Sequence, residues 1–315
     1  MQIIHFNPND SGLRFLQGSR MYFKESFNDQ GQSIYRALPD ANDFVGLLNS
    51  RISYPDVVLI TAHGTDDAIL GVRQGKLIKA MRLHQTRLFK NNFVLAVSCL
   101  TAKEFGKKAI EEAAQVYIGF DDYIQSDFKF GSSLNQKFND ILEKIFKKIY
   151  QLSLNRAFSS FIKKSLTARE LTMLIELNFK KLVRELQRMD IKNIRTVYSV
   201  QLTEKLEDEL RAVIKLQFIA KYNTLQKKIS LLGDPYYVPW YYINYLNKEE
   251  LQVLLEKINN MDEKNNYYKY FVELLVYMKL NDQVGYLGTY EKFEKELCRE
   301  DLVFEVPFNL PKDIA

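Results

Sequence analysis

The chain has 315 residues, of which 46% are hydrophobic, and its formal net charge is +5. This length suits one large α/β domain or two smaller ones, and the apolar content is enough for a sizeable core. No run of about 18 apolar residues occurs, and no basic segment precedes an apolar one at the amino terminus, which argues against a membrane span and a secretory signal. The two cysteines are far apart and predict no disulfide framework, so we expect a cytoplasmic protein.

Strand and helix patterns alternate over the first 130 residues. Met1–Phe6 predicts a short strand, Pro39-Asp40 predicts the start of a helix, and the glycine-punctuated segment Ala68–Lys79 predicts a hairpin. Two runs, Val57–Ala62 and Phe93–Val97, are apolar nearly throughout. Such runs are typical of strands that are buried on both faces of a parallel sheet.

The second apolar run is followed by another helix and another strand. Thr101 is the expected N-cap of a helix over Ala102–Ala114, and Gln115–Phe120 predicts the next strand. The alternation of strands and helices predicts an α/β fold with a mostly parallel sheet, right-handed crossovers and flanking helices.

The apolar period changes to a helical one after about residue 134. Residues 134–225 predict a helical insertion, because Leu, Ile and Phe recur there at helical spacing. Ile229–Leu232 then predicts a short strand that leads into Gly233-Asp234-Pro235. We expect one domain over 1–240, which includes the insertion, and a helical extension over 241–315.

Charge is distributed unevenly between these helical regions. Residues 137–195 carry a net charge of +8, whereas 241–315 carries a net charge of −5. The two regions could pair with each other or face different partners, including a regulatory protein. The apolar residues within 137–195 form a helical stripe, so a core face with a solvated basic face is favoured over nucleic-acid binding.

A histidine and a cysteine follow the two buried strands of the amino-terminal part. The first run leads into His63-Gly64 and the second into Ser98-Cys99. Function in open α/β sheets gathers beyond the carboxyl ends of the strands, so neighbouring strands would bring His63 and Cys99 to the same edge. A thiol beside an imidazole is a nucleophile beside its base.

Each of these residues also has a purely structural interpretation. A cysteine is often a small buried hydrophobic residue, and a histidine at a strand end often serves only as a hydrogen-bonding group. The equivalent positions of His63 and Cys99, together with a glycine that lets a backbone N–H approach a substrate, favour catalysis. No metal site is predicted, because His5 and His84 have no ligand partners at useful spacing, and no cofactor is expected.

The order of these motifs resembles the caspase-fold (clan CD) cysteine peptidases, which include caspases, separase, gingipains and the bacterial CHAT proteins. The resemblance covers roughly residues 1–240. It rests on a strand ending in His63-Gly64, a strand ending in Ser98-Cys99, the following strand Val116–Phe120, and Leu231–Pro235, which is similar to the segment that closes many CHAT domains. Ser98 departs from the alanine of caspases, and residues 241–315 have no counterpart.

The resemblance implies hydrolysis of a specific protein substrate through an acyl-enzyme. Cys99 would be the nucleophile and His63 the proton donor to the leaving amine, and the backbone N–H groups of Gly64 and Cys99 would form the oxyanion hole. Small CHAT-like proteases often act in bacterial defence, such as antiviral defence, or in stress responses, under the control of a partner or signal.

The resemblance also implies cleavage after a basic residue. Asp127 is the first choice for the acid that would hold this residue, followed by Asp122 and Asp121, since all three follow the strand after the catalytic helix. They could equally be solvated loop residues. Asp66 and Asp67, next to His63, could line the cleft or cap a turn.

Two further functions remain open at this point. The first is an interaction module in which a caspase-like scaffold is catalytically idle and Cys99 is incidental. The second is a nucleic-acid-binding protein that uses the basic helices of 137–195, which would show salt-dependent binding.

Overall fold

The computed structural model describes residues 2–10, 12–29, 32–50, 55–124, 128–130, 136–262, 266–298 and 310–311. The strands are β1 Ile3–Phe6, β2 Asn28–Asp29, β3 Gln32–Ser33, β4 Tyr35–Leu38, β5 Val57–Thr61, β6 His63–Gly64, β7 Ala68–Arg73, β8 Lys76–Arg82, β9 Phe93–Val97, β10 Val116–Phe120 and β11 Ile229–Gly233. The helices are α1 Arg14–Phe27, α2 Ala41–Asn49, α3 Phe105–Glu111, α4 Gln136–Lys163, α5 Ala168–Arg188, α6 Ile191–Tyr198, α7 Glu207–Val213, α8 Ile219–Gln226, α9 Lys248–Ile258, α10 Asn266–Leu280 and α11 Gln283–Leu297.

Six strands form the main sheet, in the order β11-β10-β9-β5-β1-β4. The five strands from β10 to β4 are parallel, and β11 pairs with β10 in the antiparallel direction. Every residue of β5, β9 and β10 is buried, in keeping with the uninterrupted apolar runs. The predicted α/β fold with a mostly parallel sheet and flanking helices is therefore confirmed.

The predicted helix after the second run begins later than the sequence indicates. Helix α3 begins at Phe105, and its N-cap, Glu104, makes no capping hydrogen bond with its side chain. Thr101 is not the N-cap, because its hydroxyl donates to the carbonyl of Ser98 at 3.1 Å. The intervening chain stays at the sheet edge, since the N–H of Ala102 donates to the carbonyl of Phe120.

Two other elements of the amino-terminal part give a weak sequence signal. Helix α1 buries Leu16, Ser19, Phe23 and Phe27, of which Ser19 is polar. Strand β4 buries only its two end residues. Neither pattern reaches the regular alternation or apolar continuity that identifies an element from sequence.

The two faces of the sheet pack against different layers. Alternate residues of β5 point to opposite sides: Val57 and Leu59 belong to one hydrophobic cluster, and Val58 and Ile60 to the other. The second cluster includes residues of α2 and α3. The first cluster extends through α1 and the long helices α4 and α5, so residues 136–225 supply a covering layer for one face of the sheet.

The region after residue 240 continues this same core. Phe93, at the start of β9, stacks on Tyr237, which in turn stacks on Tyr268 of α10. The indole N–H of Trp240 donates to the carbonyl of Pro55, which precedes β5. These contacts place the carboxyl-terminal helices at the amino ends of the strands, away from the edge that carries His63 and Cys99. Among the described residues, no helix is long and apolar enough to span a bilayer.

A buried hydrogen-bond network joins β1 to the ends of its neighbouring strands. His5 lies 2.6 Å from the hydroxyl of Tyr35 through Nδ1 and 2.8 Å from the hydroxyl of Thr61 through Nε2. The side-chain amide of Asn7 donates to the same Thr61 oxygen at 2.5 Å. Burial, with a smaller contribution from Arg20, lowers the pKa of His5 to about 3.

The network predicts a loss of stability in mild acid. The unfolded state takes up a proton on His5 near pH 6.5, whereas the folded state resists it until about pH 3. We therefore expect the free energy of unfolding to fall as the pH decreases through this window, by up to about 1.4 kcal/mol per pH unit from this residue. Urea unfolding between pH 7 and pH 4.5 measures the slope.

The variant His5→Gln removes this contribution and should give a shallower slope than the wild type. His84→Gln, at an exposed histidine, is the matched control. Equal slopes for the wild type and His5→Gln would contradict the assignment.

Candidate functional site

Four consecutive strands of the sheet end at the same edge and contribute to one site. In spatial order these are β10, β9, β5 and β1, and their parallel direction places all four carboxyl ends together. Cys99 follows β9 and His63 follows β5. The loop after β1 carries Asp10, and the loop after β10 carries Ile124.

The register between β5 and β9 brings His63 and Cys99 together. Thr61 is the register partner of Val97, so His63 and Cys99 each stand two residues beyond paired positions on adjacent parallel strands. Both side chains line the same cavity. The sequence-based prediction that His63 and Cys99 follow neighbouring strands is confirmed by this arrangement.

Gly64 is packed directly against the segment that carries the cysteine. A Cβ atom at this position would lie 2.3 Å from Oγ of Ser98, 2.5 Å from Cγ2 of Thr101 and 2.6 Å from the carbonyl oxygen of Cys99. No side chain fits this space, because one of the three atoms belongs to the backbone. The close approach explains why a glycine follows His63, and it places the backbone of Gly64 beside that of Cys99.

Replacement of this glycine should be costly. Gly64→Ala is expected to lower the free energy of unfolding by roughly 1–3 kcal/mol through overpacking, and to move the His63 loop away from Cys99. Gly46→Ala is the matched control, since a Cβ there meets nothing within 4 Å and the position lies inside α2. This control should be neutral or stabilising by about 0.5–1 kcal/mol. Urea unfolding of both variants tests the contrast, and equal stabilities would contradict it.

A carboxylate that sequence analysis did not identify lies beside His63. Oδ1 of Asp10 lies 3.3 Å from Nε2 of His63, and it also accepts the backbone N–H of Gly12 at 2.5 Å. The side chains of Asp10 and His63 are only 12% and 18% exposed. Asp10 is separated from His63 by more than fifty residues, so only its position in the loop after β1 could have suggested this contact.

The cysteine sulfur accepts a backbone hydrogen bond. The N–H of Ile124 donates to Sγ of Cys99 at 3.4 Å. A fixed N–H donor favours negative charge on sulfur, which is the form that attacks a carbonyl. Cys99 is 7% exposed, whereas Cys298 is exposed, and neither is in a disulfide.

The cavity beside Cys99 has a volume of about 200 Å³. It is lined by Gly12, Leu13, Phe15, Ala62, His63, Cys99, Ile124, Phe128, Lys129, Glu143 and Lys147. Its walls are therefore apolar near the sheet and charged on the side that α4 provides. Among the described lining residues, the one acid is Glu143.

The other acids named from the sequence occupy different places. Asp122 pairs with Lys228 at 3.3 Å and accepts the N–H of Tyr123, and these contacts lower its pKa. The carboxylate of Asp121 accepts the hydroxyl of Ser230 at 3.3 Å. Neither of them lines the cavity. Asp127 lies outside the described residues.

The two acids beside His63 belong to the hairpin that follows it. The side chain of Asp67 accepts from Lys79 and from the hydroxyl of Thr65, and these contacts lower its pKa. The carbonyl of Asp66 accepts the N–H of Phe105 at the start of α3. Of the two interpretations, the contacts of Asp67 support the turn.

Comparisons with known proteins do not assign the chain to a family. No protein-family model matches the chain, and no curated protein matches it. Among the described residues, no cluster of three or more His, Cys, Asp or Glu side chains is arranged to hold a metal ion.

Proposed function

We propose that the protein is a cysteine endopeptidase of the caspase-like type, related to the CHAT and separase proteins, that cleaves a specific protein substrate. The proposal rests on four groups that lie in order along one edge of the sheet, namely the N–H of Ile124, Cys99, His63 and Asp10. A nucleophile, a base and a group that orients the base are the parts that acyl transfer requires.

The proximity of Asp10 supports different roles for the two ring nitrogens of His63. Oδ1 of Asp10 lies 3.3 Å from Nε2 of His63, so we take Nε2 as the protonated nitrogen and Nδ1 as the acceptor, because a neutral imidazole has one of each. Nδ1 is then the atom that takes the thiol proton of Cys99. The imidazolium formed in this step is stabilised by the carboxylate of Asp10.

The reaction proceeds in two halves. The sulfur of Cys99 adds to the scissile carbonyl, the C–N bond breaks, and the proton on Nδ1 of His63 goes to the leaving amine. Water then adds to the thioester, with His63 accepting its proton, and the thiolate leaves with release of the carboxyl product. The N–H groups of Gly64 and Cys99 are the proposed oxyanion donors, and one such donor is worth about 3 kcal/mol.

The burial of Cys99 supports a regulated enzyme. Cys99 is 7% exposed, and among the described residues its side chain lines a cavity between the start of α1, α4 and the loop after β10. A main-chain segment of a substrate needs a wider cleft than this. A partner or signal would therefore have to open this cavity before cleavage. The proposed cleavage follows a basic residue, and the proposed setting is a bacterial defence or stress system.

Removal of either reacting group should abolish cleavage without unfolding the protein. Cys99→Ser and His63→Ala are expected to reduce cleavage to background, because each removes an essential step, whereas Cys298→Ser should retain full activity as the matched thiol control. Mass spectrometry of new peptide termini in a lysate measures cleavage, and thermal melts report folding. Full activity in folded Cys99→Ser would overturn Cys99 as the nucleophile, and wild-type cleavage no greater than background would leave an interaction module.

Asp10 is predicted to be a positioning residue. Asp10→Asn keeps the size and shape of the side chain but removes the negative charge that favours a proton on Nε2 of His63. We therefore expect kcat to fall by roughly 10-fold or more, whereas KM should change little. The pH profile of kcat should also shift, which a merely structural residue would not cause. Asp43→Asn, at an exposed acid in the first turn of α2, is the control. An unchanged kcat in Asp10→Asn would exclude this role.

A further inference from the structure

The ammonium group of Lys147 occupies a site that is built for a cation. Its Nζ lies 2.5 Å from Oε1 of Glu143, one helical turn earlier on α4. The same Nζ lies 5.6 Å from the ring centroid of Phe15 and 5.6 Å from that of Phe128. One carboxylate and two aromatic rings therefore surround a single positive charge.

The aromatic part of this site is fixed by the core. The rings of Phe15 and Phe128 meet edge to face at 5.3 Å, and Phe128 is 2% exposed. Phe128 also packs against Phe146 and Tyr150 of α4. Because the rings are already held in place, binding of a cation between them costs little conformational entropy.

The site opens into the cavity of the proposed nucleophile. Phe15, Phe128, Glu143 and Lys147 line the same 200 Å³ space as His63 and Cys99. A side chain that enters this cavity beside Cys99 passes apolar walls and then reaches the carboxylate of Glu143. This is the shape of a Lys or Arg side chain, whose apolar stem precedes its charge.

We propose that Glu143, Phe15 and Phe128 form a subsite for the basic side chain of the substrate, and that Lys147 fills this subsite in the free protein as an internal competitor. The inference rests on the proposed peptidase function, and it names the specificity-determining acid as Glu143. This acid comes from the helical region that covers the sheet, whereas Asp121 and Asp122 are engaged by Ser230 and Lys228.

Exchange of one cation for another keeps the charge of Glu143 balanced. The side chain of Lys147 is 26% exposed, so its flexible stem can swing its ammonium group to solvent when a substrate cation enters. An arginine of the substrate should bind more tightly than a lysine, because its planar guanidinium can donate two hydrogen bonds to a carboxylate and stack on aromatic rings. Lys129 also lines the cavity, but its side chain is exposed, so salt and solvent screen its positive charge.

Agmatine, a four-carbon stem with a guanidinium at one end and an ammonium at the other, is the probe for this subsite, and pentanoate is the anionic counterpart. Isothermal titration of both probes into the full chain compares the wild type with Lys147→Met, Lys147→Gln and the double variant Glu143→Gln/Lys147→Met. The controls are Lys180→Met and Glu176→Gln, at a similar ion pair four residues apart on α5.

Agmatine should bind Lys147→Met about tenfold more tightly than the wild type, because the competing occupant is gone. Lys147→Gln should show the same gain, the double variant should lose it, and the controls should match the wild type. Absence of agmatine binding to folded Lys147→Met would overturn the subsite. Tighter binding of pentanoate would assign the cavity to anions, which also overturns it.

Cleavage of peptide libraries separates this inference from the peptidase assignment. We expect cleavage after Arg and Lys, lost in Glu143→Gln and retained in Glu176→Gln. Agmatine binding without proteolysis, both on the peptide library and in a lysate that can supply the partner, would support the subsite and exclude the peptidase. Proteolysis after uncharged residues, with no agmatine binding, would support the peptidase assignment and exclude the proposed subsite.

Discussion

The in-register parallel pairing of β5 with β9 is the constraint on which the site depends. Both strands are buried throughout, so a shift by one residue would turn every side chain to the other face of the sheet. The hydrophobic core therefore fixes the register, and the register fixes how far His63 and Cys99 stand beyond the last paired residues. The geometry of the candidate site is therefore a consequence of core packing.

The same edge is secured by contacts that tolerate little change. Gly64 fits against the backbone of Cys99 only because it has no side chain. The loop that carries Asp10 leaves β1 directly after the buried network of His5, Asn7 and Thr61. Stability and the geometry of the candidate site are coupled here, since the groups that hold the strand ends together also position the carboxylate of Asp10 beside His63.

The helical region after β10 packs on the sheet and also lines the candidate site. Helix α4 buries Phe146, Ile149 and Tyr150 in the core that covers one face of the sheet, and it presents Glu143 and Lys147 to the cavity. A layer that is needed to cover the sheet thus also supplies one wall of the proposed substrate pocket. Movement of this wall would widen the access to Cys99, which is the opening that the proposed regulation requires.

The sequence by itself determined the strands β1, β5, β9, β10 and β11, the parallel sheet and the placement of His63 and Cys99 after neighbouring strands. These features follow from local apolar patterns and from the rule that parallel strands end at one edge. Only the tertiary structure decided that Asp10 faces His63, that Gly64 abuts Cys99 and that Glu143 lines the cavity. Such contacts join residues far apart in the chain, and the packing that creates them leaves no local periodicity to read.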